Sequence, residues 1–312
     1  MTSSFGWLVQ PAVFPWVALV LGLCVGSFLN VVIHRLPRMM ERDWLSQLPE
    51  TLEEAEALKG RPEAARAASE VRALIQPLLA QPLGLVTPRS RCPACGHAIG
   101  ALQNIPVLSY LLLRGKCAHC GARISARYPI IELLAGVGAL YCAHRFGFGL
   151  QMIAATLFLW SILALAVIDQ ETGFLPDDIT LPLLWLGLLF NLGGTFVPLH
   201  EAVIGAAAGY LVLWTVNALF RALRGIEGMG YGDFKMTAAV GAFLGWKALL
   251  MVILLSSVVG AVFGAVQMFA AKRGWDWKFR FHFGPYIAIA GLVAMFWGAQ
   301  LAQRYPMLRP FP

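Results

Sequence analysis

The sequence predicts an all-α polytopic membrane protein of about eight transmembrane helices, with a small cytoplasmic zinc-ribbon-like domain inserted between the first and second. Three observations carry this. Hydrophobic residues make up 58% of the 312 positions and charged residues only 13%, far from the balance of a soluble domain. The apolar residues gather into runs of roughly twenty, the length that crosses a hydrocarbon core. Only one polar stretch of real size interrupts them, and it contains two Cys-x-x-Cys-Gly sequences.

The first run, near 12–34 within an N-terminal segment 1–38, has no Lys or Arg among residues 1–10 and is followed by basic residues. It therefore reads as a retained anchor with its N-terminus outside, not as a cleaved signal peptide. Residues 39–88 form an insert. Its 39–80 portion is rich in Ala, Glu, Leu and Arg, with an apolar spacing that suits one or two amphipathic helices broken at Gly60–Pro62. A solvated or surface-lying role is expected for it. The cysteine-rich cap occupies 89–128, and a multi-helix core fills 129–312. In that core helices are expected near 129–145, 149–168, 179–198, 201–222, 248–271 and 284–303, with a shorter apolar piece at 235–246.

Eight crossings fit the charges better than seven plus a re-entrant segment. The net charge is +7, but its distribution points to a bilayer and not to nucleic acid. Of the 24 Lys and Arg, thirteen fall in the 35–128 loop. Arg221, Arg224 and Lys235 lie in one short loop, and Lys272, Arg273, Lys278 and Arg280 in another. Arg145, Lys247, Arg304 and Arg309 are left for the other side. That is the positive-inside bias of a multi-pass membrane protein, and the short loops carry it best.

Cys92-Pro-Ala-Cys95-Gly and Cys117-Ala-His-Cys120-Gly leave 21 residues between Cys95 and Cys117. Each turn aims two thiolates at one ion and two turns complete a tetrahedron, so the spacing predicts structural zinc on Cys92, Cys95, Cys117 and Cys120. A basic cytoplasmic loop argues for a reducing compartment and against disulfides. His97 and His119 are read as bystanders. Cys24 and Cys142 lie inside apolar runs, as small hydrophobes.

Two aspartates then stand out. Asp169 closes the run LFLWSILALAVID, and Asp233 lies in GMGYGDFK. An ionisable group at membrane depth is costly and usually functional. Helix counting places both at cytoplasmic helix ends, where two carboxylates sharing a proton would activate water as an aspartic protease does. Gly230 and Gly232 would admit a substrate backbone. Lys235 is either an anchor of the positive-inside set or a charge acting on Asp233. Glu132 is read as contacting Arg127 or a backbone amide, or as reading a substrate amine. Asn30, His34 and Arg35 close the first helix, with Asn30 kept as a substrate-binding candidate. Asp177, Asp178 and Glu171 are read as solvated loop acids.

The residues alone leave three function classes open. These are an intramembrane aspartyl peptidase, a proton-coupled transporter using Asp169 and Asp233 as a relay, and a non-enzymatic scaffold that docks partners through the ribbon. The transporter lacks an internal repeat. The scaffold leaves the aspartate motifs unexplained.

Four blocks resemble one family in its own order: GSFLNVVIHRLP (26–37), SRCPACGHAIGALQNIPVLSYLLLRGKCAHCGARISARYPIIELL (90–134), VIDQETGFLPDDITLPLLWLGLL (167–189) and GMGYGDFKM (228–236). The chain resembles the type IV prepilin peptidases, bifunctional leader peptidases and N-methyltransferases of pilus and type II secretion systems. The resemblance implies that Asp169, opening the DxxxxxLPD block, and Asp233, in the GxGD motif, are the catalytic pair. It implies prepilins or pseudopilins as substrates, with a basic leader and a Gly before the cut. It also implies methylation of the new N-terminus by S-adenosylmethionine. No GxGxxG follows a strand, so no Rossmann-type site for that donor is expected.

Overall fold

The computed structural model describes residues 10–55, 59–270 and 282–304, with the side chains of 267–270 left aside. The basic group Lys272, Arg273, Lys278 and Arg280, and Arg309, lie outside the described residues. Among the described residues there are ten α-helices and no strand. In order they are α1 (Phe14–Glu54), α2 (Pro62–Leu79), α3 (Leu108–Leu112), α4 (Arg127–Phe146), α5 (Leu150–Thr172), α6 (Asp177–Asn191), α7 (Leu199–Arg224), α8 (Tyr231–Leu244), α9 (Trp246–Ala270) and α10 (Gly284–Arg304).

Among the described residues, five helices are long and apolar enough to cross a membrane: α1, α5, α7, α9 (over Trp246–Val266) and α10. The other three segments expected to cross do not meet that measure. Arg127, Glu132, His144 and Arg145 dilute α4, while α6 has 15 residues and α8 only 14. At about 1.5 Å rise per residue, such helices fall short of a hydrocarbon core of about 30 Å. The segment expected at 179–198 stops at Asn191, where Leu192–Gly194 turn the chain and Gly194 adopts φ +69°.

The chain forms two compact units, Met1–Gly26 with Ile130–Pro312, and Ser27–Pro129. In the first, α8 is the central helix. Beyond Lys235 it is apolar on nearly all sides, as an enclosed helix must be, and every residue from Met236 to Phe243 is buried. Phe158, Ile162 and Leu165 of α5, Leu183 of α6, Val252 of α9 and Ile287 of α10 join Val240 and Phe243 in one core. The closest approach is between α7 and α8. A Cβ on Gly209 would lie 2.7 Å from the Thr237 carbonyl oxygen, and one on Gly205 would strike the Gly241 carbonyl. Small residues four apart let two backbones meet in this way. Gly22 and Gly26 of α1 seat that helix on Ala135 and Glu132 of α4 by the same device.

In the second unit α1 continues unbroken to Glu54, well past the expected end of the first helix. The break at Gly60–Pro62 is present: Gly60 has φ +76° and Pro62 opens α2. Two α1 arginines hold the returning chain. Arg35 donates to the Gly84 and Pro88 carbonyls at 2.7 Å each, and Arg42 donates to the Leu79 and Gln81 carbonyls at 2.8 and 2.7 Å.

Candidate active site

Asp169 occupies the last turn of α5. Gly173 ends that helix in the left-handed region at φ +67°, and its amide returns to the Asp169 carbonyl at 2.8 Å. The carboxylate is 5% exposed, and its Oδ2 accepts a hydrogen bond from the Gly284 amide at 3.0 Å. Gly284 opens α10, so a side chain from α5 satisfies one of the unpaired amides at the start of another helix. Nothing larger than Gly fits there, since a Cβ at 284 would lie 2.8 Å from Oδ2. His282 stands beside Gly173, its Nε2 3.2 Å from where a Cβ would project, and within electrostatic reach of Asp169.

Asp233 lies in the first turn of α8 and is 8% exposed. Its Oδ1 is buried without a hydrogen-bond partner among the described residues. Thr237 Oγ1 donates to the Asp233 carbonyl at 2.8 Å and fixes that turn. The two carboxylates, one from the end of α5 and one from the start of α8, are close enough for their charges to interact. Two buried acids with one unpartnered oxygen between them suit a shared proton and a polar guest.

Two buried asparagines hold α8 at its two ends. Before the helix, Asn217 of α7 accepts from the Gly228 and Met229 amides at 3.0 and 3.1 Å, fixing the loop that leads to Asp233. Beyond it, Asn191 of α6 donates Nδ2 to the Ala242 and Phe243 carbonyls at 2.9 and 3.0 Å. Its Oδ1 accepts from the Phe196 and Val197 amides at 3.0 and 3.2 Å. An Asn side chain that uses both its amide and its carbonyl in this way defines a unique position for the helix end. Sequence reasoning missed Asn191, Asn217, Gly284 and His282.

The remaining candidates separate. Gly230 is exposed and open, whereas the space at Gly232 is taken by Leu175, 2.7 Å from a would-be Cβ. The close approach there is intramolecular packing. Lys235 reaches both Asp177 oxygens, at 2.8 and 2.6 Å, so it ties α8 to α6. Asp177 and Asp178 begin α6 and do not sit in a loop, favourably placed at its positive end. Glu132 is buried on α4 beside Gly26 of α1. Asn30 Nδ2 donates to the Tyr128 carbonyl at 3.1 Å.

The two cysteine turns are near copies. In each, the first Cys amide bonds to the residue five on (Cys92 to His97 at 2.9 Å, Cys117 to Ala122 at 2.8 Å). In each, a Gly at φ +68° or +71° returns its amide to that Cys. Antiparallel bridges Arg91–Ala98 and Lys116–Arg123 close them. All four Sγ lie within 4.8 Å of one another, and Cys92 and Cys120 are 3.8 Å apart. A tetrahedral ion with metal–sulfur bonds of about 2.3 Å sets its sulfurs about 3.8 Å apart. The donor set therefore fits a metal.

Against this geometry, sequence comparison is decisive. The description "Bacterial Peptidase A24 N-terminal domain" matches residues 20–146, and "Type IV leader peptidase family" matches residues 156–265. A relative from Stutzerimonas stutzeri is 50% identical over 302 residues, covering 95% of each chain. One from Aeromonas salmonicida is 46% identical over 310 residues, 98% of this chain and 96% of its own. One from Pseudomonas aeruginosa is 46% identical over 296 residues, 95% and 94%. All three are named prepilin leader peptidase/N-methyltransferase. The chain belongs to the type IV leader peptidase family. No solved structure matches it. The N-terminal family block contains all four clustered cysteines, and the leader peptidase block contains Asp169, Asp233 and both asparagines that hold α8. As in its family, the chain is a bacterial multi-pass membrane protein.

Proposed function

We propose that this chain removes the basic leader from type IV prepilins and pseudopilins and then methylates the new N-terminal amine. The observation that carries the reading is the meeting of two buried carboxylates, Asp169 from α5 and Asp233 from α8, in a member of the leader peptidase family. In the cut, one carboxylate takes a proton from water while the other, protonated, polarises the scissile carbonyl. The hydroxide adds to that carbon. The tetrahedral intermediate then collapses as the C–N bond breaks and the leaving amine receives a proton from the pair. The pair holds one proton in common, so either residue serves either role.

Eight crossings with the N-terminus on the periplasmic side would bring both aspartates to the cytoplasmic face. α4, α6 and α8 would complete the five longer spans. There a basic leader stays in the cytoplasm while the apolar pilin helix lies in the bilayer. Gly230, exposed beside the Asp233 carboxylate, is the place where a substrate backbone approaches. Zinc held by Cys92, Cys95, Cys117 and Cys120 would fold the cytoplasmic cap, which is too small to bury a core of its own. S-adenosylmethionine is the methyl donor.

The test is incubation of purified protein in detergent with a prepilin, followed by intact mass measurement. Loss of the leader without donor, and gain of one methyl group only when S-adenosylmethionine is added, are expected. A prepilin of unchanged mass refutes the reading.

A further inference from the structure

No Asp or Glu occurs between Glu70 and Glu132, while Arg72, Arg89, Arg91, Arg114, Lys116, Arg123 and Arg127 do. That acid-free stretch includes both cysteine turns and the segment that joins them. The joining segment is unusual for a polar module. Leu102, Ile105, Leu108 and Leu111 recur every third residue, and with Leu112 they are 81%, 40%, 51%, 65% and 74% exposed. The short 3-10 turn Leu102–Asn104 and α3 present them, while Tyr110 holds the segment from within by donating to the Ile124 carbonyl at 3.4 Å. Arg114 and Lys116 follow at once, both exposed.

We infer that the segment Leu102–Lys116 is a lipid-binding wedge, whose leucines enter the headgroup boundary of the membrane while Arg114 and Lys116 engage anionic headgroups. Apolar side chains of a soluble module are costly to leave in water, and exposed apolar stripes flanked by cations are the signature of an interfacial element. The occupant must be apolar on one side and anionic on the other. A basic prepilin leader has the wrong sign for this surface, whereas a bilayer has both properties. The bilayer is also within reach, because the compact unit that contains the segment, Ser27–Pro129, begins within α1, whose apolar part is long enough to span it. The wedge concerns how the cap meets lipid, and its test does not depend on the peptidase reading.

A photoreactive benzoylphenylalanine placed at Leu111 or Leu112 of the full-length protein, and at exposed Ala65 of α2 as a control, reports the neighbour directly. The protein is reconstituted in phosphatidylethanolamine vesicles with or without phosphatidylglycerol, and adducts are read by mass spectrometry. Metal content is measured alongside to show that the cysteine turns are intact. Lipid adducts from 111 and 112, several-fold above Ala65, are expected. They should rise with phosphatidylglycerol and fall in the Arg114→Glu/Lys116→Glu variant. Yields no greater than at Ala65, yields indifferent to phosphatidylglycerol or to the charge reversal, or adducts with a second protein chain instead of lipid each overturn the proposal.

Discussion

Asp169 and Gly284 are 115 residues apart in sequence, and they meet through a 3.0 Å hydrogen bond from the Gly284 amide to Oδ2. The bond fixes one carboxylate oxygen of the proposed pair on the first residue of α10. The first prediction follows from the absence of a side chain at 284. In Gly284→Ala the new methyl would lie 2.8 Å from Oδ2 and 3.1 Å from Cγ, so the carboxylate must swing aside. Misplacing a catalytic group by about 1 Å costs on the order of 10²-fold in rate. Prepilin cleavage should drop by about that factor while thermal unfolding shows the protein still folded. Cleavage at the normal rate would show that Asp169 does not need this position.

Replacing either aspartate with Asn tests the pair itself. Asn keeps the shape and can still accept from the Gly284 amide, but it cannot ionise or supply the shared proton. General acid–base groups contribute on the order of 10²–10⁴-fold. Asp169→Asn and Asp233→Asn should each reduce cleavage by at least that much, with membrane insertion unchanged. A rate within tenfold of normal for either variant removes that residue from the pair.

Asn217 acts at one remove, since it touches the Gly228 and Met229 amides rather than the reacting groups. Asn217→Ala strips both amides of their acceptor, a loss of roughly 1–3 kcal/mol. It should also free the loop that aims Asp233. Asn217→Asp keeps an acceptor oxygen in the same place. We expect kcat to fall in the Ala variant with KM little changed, and the Asp variant to recover most of it. Equal loss in both variants would mean that the carbonyl oxygen is not what matters at 217.

The candidate acids and cysteines stand out in the sequence because they lie against a simple background. An acid in an apolar run and a pair of Cys-x-x-Cys turns announce themselves. The supports were not legible, for a physical reason. Asn191 and Asn217 look like ordinary polar residues on apolar helices until the carbonyls 51 and 52 residues away, or the amides 11 and 12 away, are brought to them. Gly284 reads as a helix start, and only the arrival of Asp169 shows why it has no side chain. Lys235 was weighed for its nearness in sequence to Asp233, but i and i+2 positions of a helix point apart. Its partner is Asp177, on another helix. Burial does not follow helix length, for a related reason. α8 is shielded by its neighbours, so a helix of 14 residues is buried as thoroughly as a membrane-length one.

That pairing yields a modest expectation for Lys235. Its side chain is 29% exposed and that of Asp177 46%. Ion pairs this accessible contribute about 0–1 kcal/mol. Lys235→Met and Asp177→Asn should therefore each shift stability by less than about 1 kcal/mol, and the double variant should cost no more than either alone. Cleavage should persist in all three. A Lys235→Met enzyme as inactive as Asp233→Asn would instead place the ammonium in the chemistry.

The cysteine cluster should hold one zinc per chain, and its loss should damage the cap before it damages the peptidase. Thiolate sites couple metal binding to folding with roughly 10 kcal/mol or more, so freshly purified protein should contain stoichiometric zinc by elemental analysis. Cys92→Ser or Cys120→Ser should lower that content, and limited proteolysis should then open the 89–128 region first. The aspartates sit on α5 and α8, outside the unit that carries the cysteines. Residual cleavage is therefore expected in the Ser variants, well above that of Asp233→Asn. Two results would change the account. Protein purified without metal would rule out the zinc site. Folded Cys→Ser protein as inactive as the aspartate variants would bring the metal module into catalysis.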